Sequence, residues 1–323
     1  LWQIHADHVL IDRQKQEVKY DNALMEFYGV PIFYTPYFSH PTPGADNKSG
    51  LLEPTFKQST NLGTVYKQPA YYSIAKDKDV TFTPIFTTLE GFVLAGEYRQ
   101  IFNNGAMTFT GSITKPQTRD AGGATSKGQN LRGHFDGEGH FNIDNDTDWG
   151  FNIRRTSDDT YLRRYDFSED SLLTSRIYAQ KRDFLRSFSG EKSRSIATAQ
   201  TLKFDGLTAA DNNRTAPLIL PLMDFSWESA PEYYNGRFSL SGNLMALTRE
   251  QGAESRRVSS TAGWKIPYIT TSGQVFEFAT QLRTDIYWVN DQPLALNENY
   301  NGQTGRVIPE ASLNWRYPLI NQW

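Results

Sequence analysis

Cysteine is missing from all 323 positions, which excludes disulfides, thiolate metal sites and a cysteine nucleophile within this stretch. Long apolar runs are missing too. The longest nearly apolar stretch, residues 217–223, is far short of the roughly 18–20 residues that a membrane-spanning helix requires. Windows repeating apolar residues at helical spacing are scarce, so helices are a minor element. Charge of one sign is also lacking: 33 basic and 36 acidic residues, interspersed, leave a net charge of -3 and no basic stripe for a nucleic acid. No nucleophile elbow, phosphate-cradling glycine loop or HExxH helix occurs, so neither a catalytic residue nor a cofactor is assigned. A spanning β-barrel survives all these exclusions. Its closed sheet satisfies every backbone polar group, and each strand needs only about 9–11 residues.

Aromatic rings are what the chain has in plenty. They make up 14% of it (20 Phe, 17 Tyr, 7 Trp), yet the mean hydropathy is -0.57. Rings scattered among polar residues suit strands with one apolar and one wet face. The alternation is clearest over 274–288, where Phe276, Phe278, Leu282, Ile286 and Trp288 share one parity and Glu277, Gln281, Arg283 and Asp285 the other. Slipping that register by one residue would turn every charge toward the apolar side. The same pattern recurs at 105–114, 132–144, 149–154 and 258–266. About fourteen strands follow from Leu51 onward, among them 51–60, 63–74, 172–182 and 183–194. Short turns, as at 89–91 and 103–105, contrast with long polar connections at 115–129 and 204–215, the asymmetry of an outer-membrane barrel. Before Leu51, residues 1–12 and 17–28 read as two short strands and the proline- and aromatic-rich stretch 29–50 as a linker. The strand-like start and abrupt end read as a section of something longer.

The opening residues resemble a known family. Trp2-Gln3-Ile4-His5-Ala6-Asp7-His8-Val9, then Asn22-Ala23, then Phe27-Tyr28-Gly29-Val30-Pro31-Ile32-Phe33-Tyr34-Thr35-Pro36-Tyr37-Phe38 resemble the end of the periplasmic jellyroll of the lipopolysaccharide-assembly family LptD (OstA/Imp). Lys48-Ser49-Gly50-Leu51-Leu52-Glu53-Pro54 resembles that family's entry into its first barrel strand. Pro69-Ala70-Tyr71-Tyr72-Ser73-Ile74-Ala75 and Asp79-Val80-Thr81-Phe82-Thr83-Pro84 continue the match in order, as do Tyr98-Arg99, Arg306-Val307-Ile308-Pro309 and Trp315-Arg316-Tyr317. The implied fold is all-β: the last strands of a β-jellyroll with an interdomain linker (1–48), then part of an antiparallel transmembrane β-barrel (49–323). Fourteen strands cannot close the family's barrel of about 26.

Pro54 and Pro69 are the residues singled out. Proline lacks an N–H and belongs at strand edges or bulges. From the residues alone, each merely begins a strand or blunts an edge; the resemblance implies that they weaken a lateral gate beside the barrel seam. Phe33, Tyr34, Pro36, Tyr37 and Phe38 form either a packing hinge between domains or a lipid-contacting ledge. His134, Asp136, Glu138 and His140 share a strand face, but their side chains run parallel about 6.5–7 Å apart, and no metal is assigned to them. Arg99, Arg154, Glu277, Arg283 and Asp285 lie on the polar parity, where they either guide an anionic saccharide or form a generic wet lining.

The resemblance implies transport without bond-making chemistry: lipopolysaccharide reaches the outer leaflet of the outer membrane through the gate. Implied partners are the pathway's plug lipoprotein (LptE-like), its periplasmic bridge protein (LptA-like) and membrane lipid. The implied location is the outer membrane, with the first residues in the periplasm. A saccharide-binding, adhesin-like β protein and an outer-membrane lipid hydrolase are the rival readings.

Overall fold

The computed structural model describes residues 2–14, 16–42, 48–119, 125–127, 130–208, 210–293 and 299–318. Strands dominate it, relieved by one short helix, α1 (Tyr161–Arg164), and a single 3-10 turn at Tyr233–Asn235. The first sheet contains β1 (Trp2–His5), β2 (His8–Asp12), β3 (Glu17–Phe27) and β4 (Val30–Pro41). β1 and β2 lie end to end along one edge of β3, and β4 covers the other. Most of the stretch expected as a linker is therefore a strand. Its prolines are accommodated where the ladder is irregular: Pro31 pairs beside the register shift at Met25 and Glu26, and Pro36 falls at a gap in the pairing opposite Asn22, whose φ is positive at 51°.

The second sheet has sixteen antiparallel segments. Its first members are β5 (Gly50–Leu51), β6 (Thr55–Ser59), β7 (Gly63–Lys67), β8 (Ala70–Ala75), β9 (Lys78–Thr87), β10 (Gly91–Phe102) and β11 (Gly105–Thr114). A separate small hairpin, β12 (Gln117–Arg119) with β13 (Thr125–Lys127), interrupts the loop expected at 115–129; residues 120–124 and 128–129 of that loop lie outside the described residues. The sheet resumes with β14 (Arg132–Asn142), β15 (Thr147–Thr156), β16 (Leu172–Arg182), β17 (Arg194–Gly206), β18 (Leu218–Glu228), β19 (Arg237–Thr248), β20 (Glu254–Ile269), β21 (Val275–Pro293) and β22 (Asn299–Arg316). Each strand pairs with its neighbour in sequence, an up-and-down meander. Because β5 with β6 and β7 with β8 are halves of two interrupted strands, the order runs through fourteen positions, the number expected.

One expected strand is misplaced. Residues 183–193 form a turn, entered through Asp183 at φ 50° and bent at Gly190 at φ 83°, and the strand begins at Arg194. Alternation of Phe184, Arg186 and Phe188 imitates a strand, but only Arg186 pairs there, in an isolated bridge to Lys192.

The chain forms two compact units: residues 1–100 with 112–130, and residues 101–111 with 131–323. In the first, Leu62, Val65, Ile85 and Val93 are buried; in the second, Tyr161, Leu162, Tyr165 and Leu173 are. Far more large apolar side chains are exposed than buried among the described residues, including Phe56, Phe86, Leu240, Leu282 and Leu313. An apolar surface of that extent is untenable against water and natural against hydrocarbon.

Candidate functional site

Two adjacent strands of the first unit are broken at their prolines. Pro54 lies between β5 and β6, exposed, and Pro69 lies between β7 and β8, half-buried. β7 and β8 lie end to end along one edge of β9 in one continuous register, since Lys67 faces Ile85 and, three residues on, Ala70 faces Phe82. The break therefore costs hydrogen bonds without shifting alignment. Toward the other neighbour the register slips by one: Leu51 faces Ala70, while Thr55, four residues on, faces Lys67, three residues back.

Extending the β5 and β8 register places Leu52 opposite Pro69, and the Leu52 N–H donates to the Pro69 carbonyl at 2.9 Å. A regular pair would return a bond from residue 69 to the Leu52 carbonyl. Proline has no N–H to give. Gln68 supplies the substitute: its side-chain Nε2 donates to the Leu52 carbonyl at 2.9 Å and to the Pro69 carbonyl at 3.2 Å. The Tyr66 hydroxyl donates to Gln68 Oε1 at 2.7 Å, and the Gln68 backbone N–H donates to the Pro84 carbonyl at 3.1 Å. A single flexible amide thus replaces a ladder bond. Pairing is short: five register pairs join β6 to β7 and two join β5 to β8, comparable with the six between β15 and β16 and well below the seventeen between β21 and β22. Rings partly offset the loss, with Phe56 4.8 Å from Tyr66, Tyr66 6.3 Å from Phe86 and Phe86 5.3 Å from Phe92, centroid to centroid. Gly63, at φ 73°, makes the turn from β6 to β7, a conformation glycine adopts without strain.

The aromatic residues 33–38 lie on β4. Phe33, Tyr34 and Tyr37 are more than half exposed, and the Tyr34 hydroxyl donates to Asn22 Oδ1 at 2.8 Å. Phe38 packs inward, 5.7 Å from the Tyr20 ring and 6.0 Å from His40. Arg99, also in the first unit, pairs with Asp79 at 2.9 Å and Glu97 at 3.4 Å.

In the second unit, register converts alternation into surfaces. Asp224, Asn243, Ser259, Asp285 and Arg306 stand opposite one another across β18 to β22. The row continues through Thr198, Gln180 and Asp148 on β17, β16 and β15. One residue away, Met223, Leu244, Val258, Ile286 and Gly305 form the matching row on the other face. Eight consecutive strands therefore carry an unbroken polar row on one side, and an apolar row backs it on the other.

The polar side is densely bonded. Asn243 Nδ2 donates to Asp224 Oδ1 and Arg257 Nη2 donates to Asn243 Oδ1, both at 2.7 Å. Asp285, fully buried, accepts from Arg283 Nε at 3.1 Å and Arg306 Nε at 2.7 Å, while both guanidinium groups stay about half exposed. The Arg176 guanidinium lies 4.3 Å from the Tyr178 ring centroid. Of the expected polar residues, Arg283 and Asp285 thus come together. Glu277 shares their face, opposite Pro267 and Asn314, and Arg154 sits apart, paired to Asp136 at 3.4 Å and Asp170 at 2.8 Å. His134 packs against Phe167 with the rings tilted at 48° and their centroids 4.4 Å apart, and His140 meets the Tyr178 hydroxyl at 3.0 Å.

The connection 157–171, unremarked in the sequence, folds onto this polar face. Tyr161 is fully buried and Tyr165 nearly so, and Arg132 grips Asp158 with two bonds of 2.8 and 2.6 Å. Burial opposes the Asp158 charge, but hydrogen bonds from Arg132, Thr160 and Ser157 outweigh it and hold the carboxyl well below the usual range. Asp170 is lowered likewise by Ser168 and then Arg154. The signal that could have found this segment is its density of Tyr161, Leu162, Tyr165 and Phe167 in a stretch too short for another strand pair.

Comparison with known proteins gives the arrangement its family. The family model LptD, "LPS transport system D", matches residues 130–323, well over half of the chain. The "LPS-assembly protein LptD" of Haemophilus ducreyi is 25% identical over 322 residues, covering 98% of this chain and 40% of that protein. Proteins of the same name from Idiomarina loihiensis and Methylococcus capsulatus are 36% identical over 108 residues and 35% over 128, or 33% and 40% of this chain and 14% and 12% of theirs. The chain thus spans about 40% of the length of the Haemophilus ducreyi protein. A meander of two-faced strands, with its first two broken at proline, is the section of wall contributed by a chain that belongs to the LptD family.

Proposed function

We propose that this section carries lipopolysaccharide across and into the outer leaflet of the outer membrane, with its first two strands as one side of a lateral gate. The observation that carries the reading is the pair of proline breaks, where Gln68 stands in for a missing N–H. Acyl chains prefer hydrocarbon and a phosphorylated saccharide needs a wet path. A wall with one apolar and one polar face offers both routes, provided the seam between them can part. With seven register pairs and a substituted amide between them, the two interrupted strands form a yielding side of the gate, able to part from the barrel's last strand. The polar row, with Arg257, Arg283 and Arg306 displayed on it, supplies planar donors suited to phosphate. Translocation of this kind makes and breaks no covalent bond.

In this reading residues 1–48 close a periplasmic jellyroll, and the exposed rings Phe33, Tyr34 and Tyr37 form the ledge over which the lipid approaches. The bridge protein that delivers cargo docks on that jellyroll, and the plug lipoprotein fills the barrel interior against the polar face. Residues 49–323 are the barrel wall. A soluble adhesin is disfavoured by the exposed apolar rows, which would form a large sticky surface in water.

Photocrosslinking in the full-length protein tests the gate. A photoreactive residue at Pro54, Pro69 or Arg283 should capture lipopolysaccharide, whereas one at Leu282, on the apolar face far from the seam, should not. Uniform capture, or none at the prolines, would count against the gate.

A further inference from the structure

The apolar face is not even. On β16 and β17 it shrinks to methyl groups at Ala179, Ala197 and Ala199, and on β19 it disappears at Gly242. Met223 and Phe225 rise from β18, and Leu244 and Val258 close the far side. Together they enclose a groove of about 530 Å³ with an almost wholly apolar lining. Lys181, exposed, stands at its end; the turn carboxylate Asp144 is engaged first by the Asp146 N–H at 2.8 Å and the Thr147 hydroxyl at 3.1 Å, and Lys181 contributes least to its charge balance.

We propose that this groove seats one acyl chain of an anionic phospholipid, with the phosphate held at Lys181. The assignment rests on reading this face as the one turned to hydrocarbon. Three features select the occupant. The groove is continuous with that face, because its floor belongs to the row of Met223, Leu244, Val258 and Ile286. A hollow facing hydrocarbon forfeits dispersion contacts unless a chain settles into it, and the volume is within the usual range of about 300–1,000 Å³ for sites that bury a small ligand. The alanine floor spans two strands about 4.8 Å apart, narrow for a protein helix of about 10–12 Å and adequate for a methylene chain. Charge agrees as well: lysine at the edge of an apolar face extends its ammonium to headgroup level. The Asp224 carboxylate beside the groove belongs to the opposite face, where Asn243 engages it, so it does not repel the phosphate.

The experiment is native mass spectrometry of the full-length protein, stripped of lipid and re-equilibrated with micelles containing phosphatidylglycerol or phosphatidylcholine. Gly242→Leu fills the groove, and its Cβ meets nothing closer than the Ser259 carbonyl oxygen at 3.7 Å; Ala199→Phe fills it from another strand. The wild type should retain one phosphatidylglycerol more than either variant. Lys181→Gln should weaken phosphatidylglycerol retention about fivefold while sparing phosphatidylcholine. Equal retention in wild type and both filled variants overturns the proposal, as does equal loss of both lipids on Lys181→Gln. A nitroxide at Leu282, outside the groove, separates the two levels: if it reports water, the reading of the face has failed, and if it reports hydrocarbon while retention is unchanged, only the groove has.

Discussion

Replacing Pro69 with alanine gives residue 69 the N–H it lacks, directed at the Leu52 carbonyl that Gln68 Nε2 now occupies at 2.9 Å. One net backbone hydrogen bond contributes about 0.5–1.5 kcal/mol, so opening of this pair should become about 2- to 13-fold rarer. Gln68→Ala removes the substitute amide, and the site's exposure to solvent keeps its effect within the same range, in the opposite direction. The double variant should return close to wild type, because the restored N–H takes over the vacated carbonyl. Amide hydrogen exchange in the full-length protein reads all three through the Leu52 N–H, which donates to the Pro69 carbonyl at 2.9 Å. Exchange should slow in Pro69→Ala and quicken in Gln68→Ala. Unchanged exchange in Gln68→Ala, or faster exchange in Pro69→Ala, would refute the idea that a side chain replaces a ladder bond here. The same Pro69→Ala variant should deliver less lipopolysaccharide to the cell surface.

Charge on the two faces should differ in cost. Leu282→Arg should destabilise the protein by about 2–4 kcal/mol in refolding into vesicles, and Gln281→Arg by much less. Gly150→Val should lower thermal stability by about 1–3 kcal/mol, since even a Cβ there falls 2.6 Å from the Gly139 carbonyl oxygen and 2.8 Å from the Tyr178 ring. Docking of 157–171 should depend on pH in a defined direction. The Asp158 carboxyl is lowered in the folded state, so its contribution is complete above the unfolded value of about 3.9 and is lost as pH falls below it. Limited proteolysis of that segment should therefore be flat from pH 7 to about pH 4 and rise below, whereas Arg132→Ala should expose it at every pH.

Period-two alternation made the wall legible in advance, because the pleat sends neighbouring side chains to opposite faces whatever the strand is paired with. Phe278 and Leu282 against Gln281 and Arg283 needed no tertiary information. The prolines were legible as interruptions, but Gln68 was not: its role exists only once Leu52 and Pro69 are opposite each other, and no local pattern announces a side chain that replaces a backbone donor. Residues 183–193 misled because alternating Phe184, Arg186 and Phe188 imitate a strand, while the left-handed backbone at Asp183 and Gly190 that turns the chain leaves little mark in sequence. Val30–Pro41 misled in the opposite sense. Its three prolines suggested a linker, yet β4 is an outer strand whose pairing with β3 tolerates gaps at Pro36 and at the Met25 and Glu26 bulge. The pairing of Arg306 with Asp285, and the burial of Tyr161 on the polar face, are likewise products of register and folding back.

In the proposed reading one face of this wall meets hydrocarbon and the other water. Single nitroxides placed successively from Glu277 to Ile286 in the full-length protein, reconstituted in lipid, test it most directly, and the absence of native cysteine in this segment leaves it free of competing labelling sites. Oxygen accessibility should peak at Phe278, Leu282 and Ile286, and accessibility to a water-soluble nickel chelate at Glu277, Gln281 and Arg283. Two profiles that rise and fall together, or vary without a period of two, would mean that the two faces meet the same surroundings.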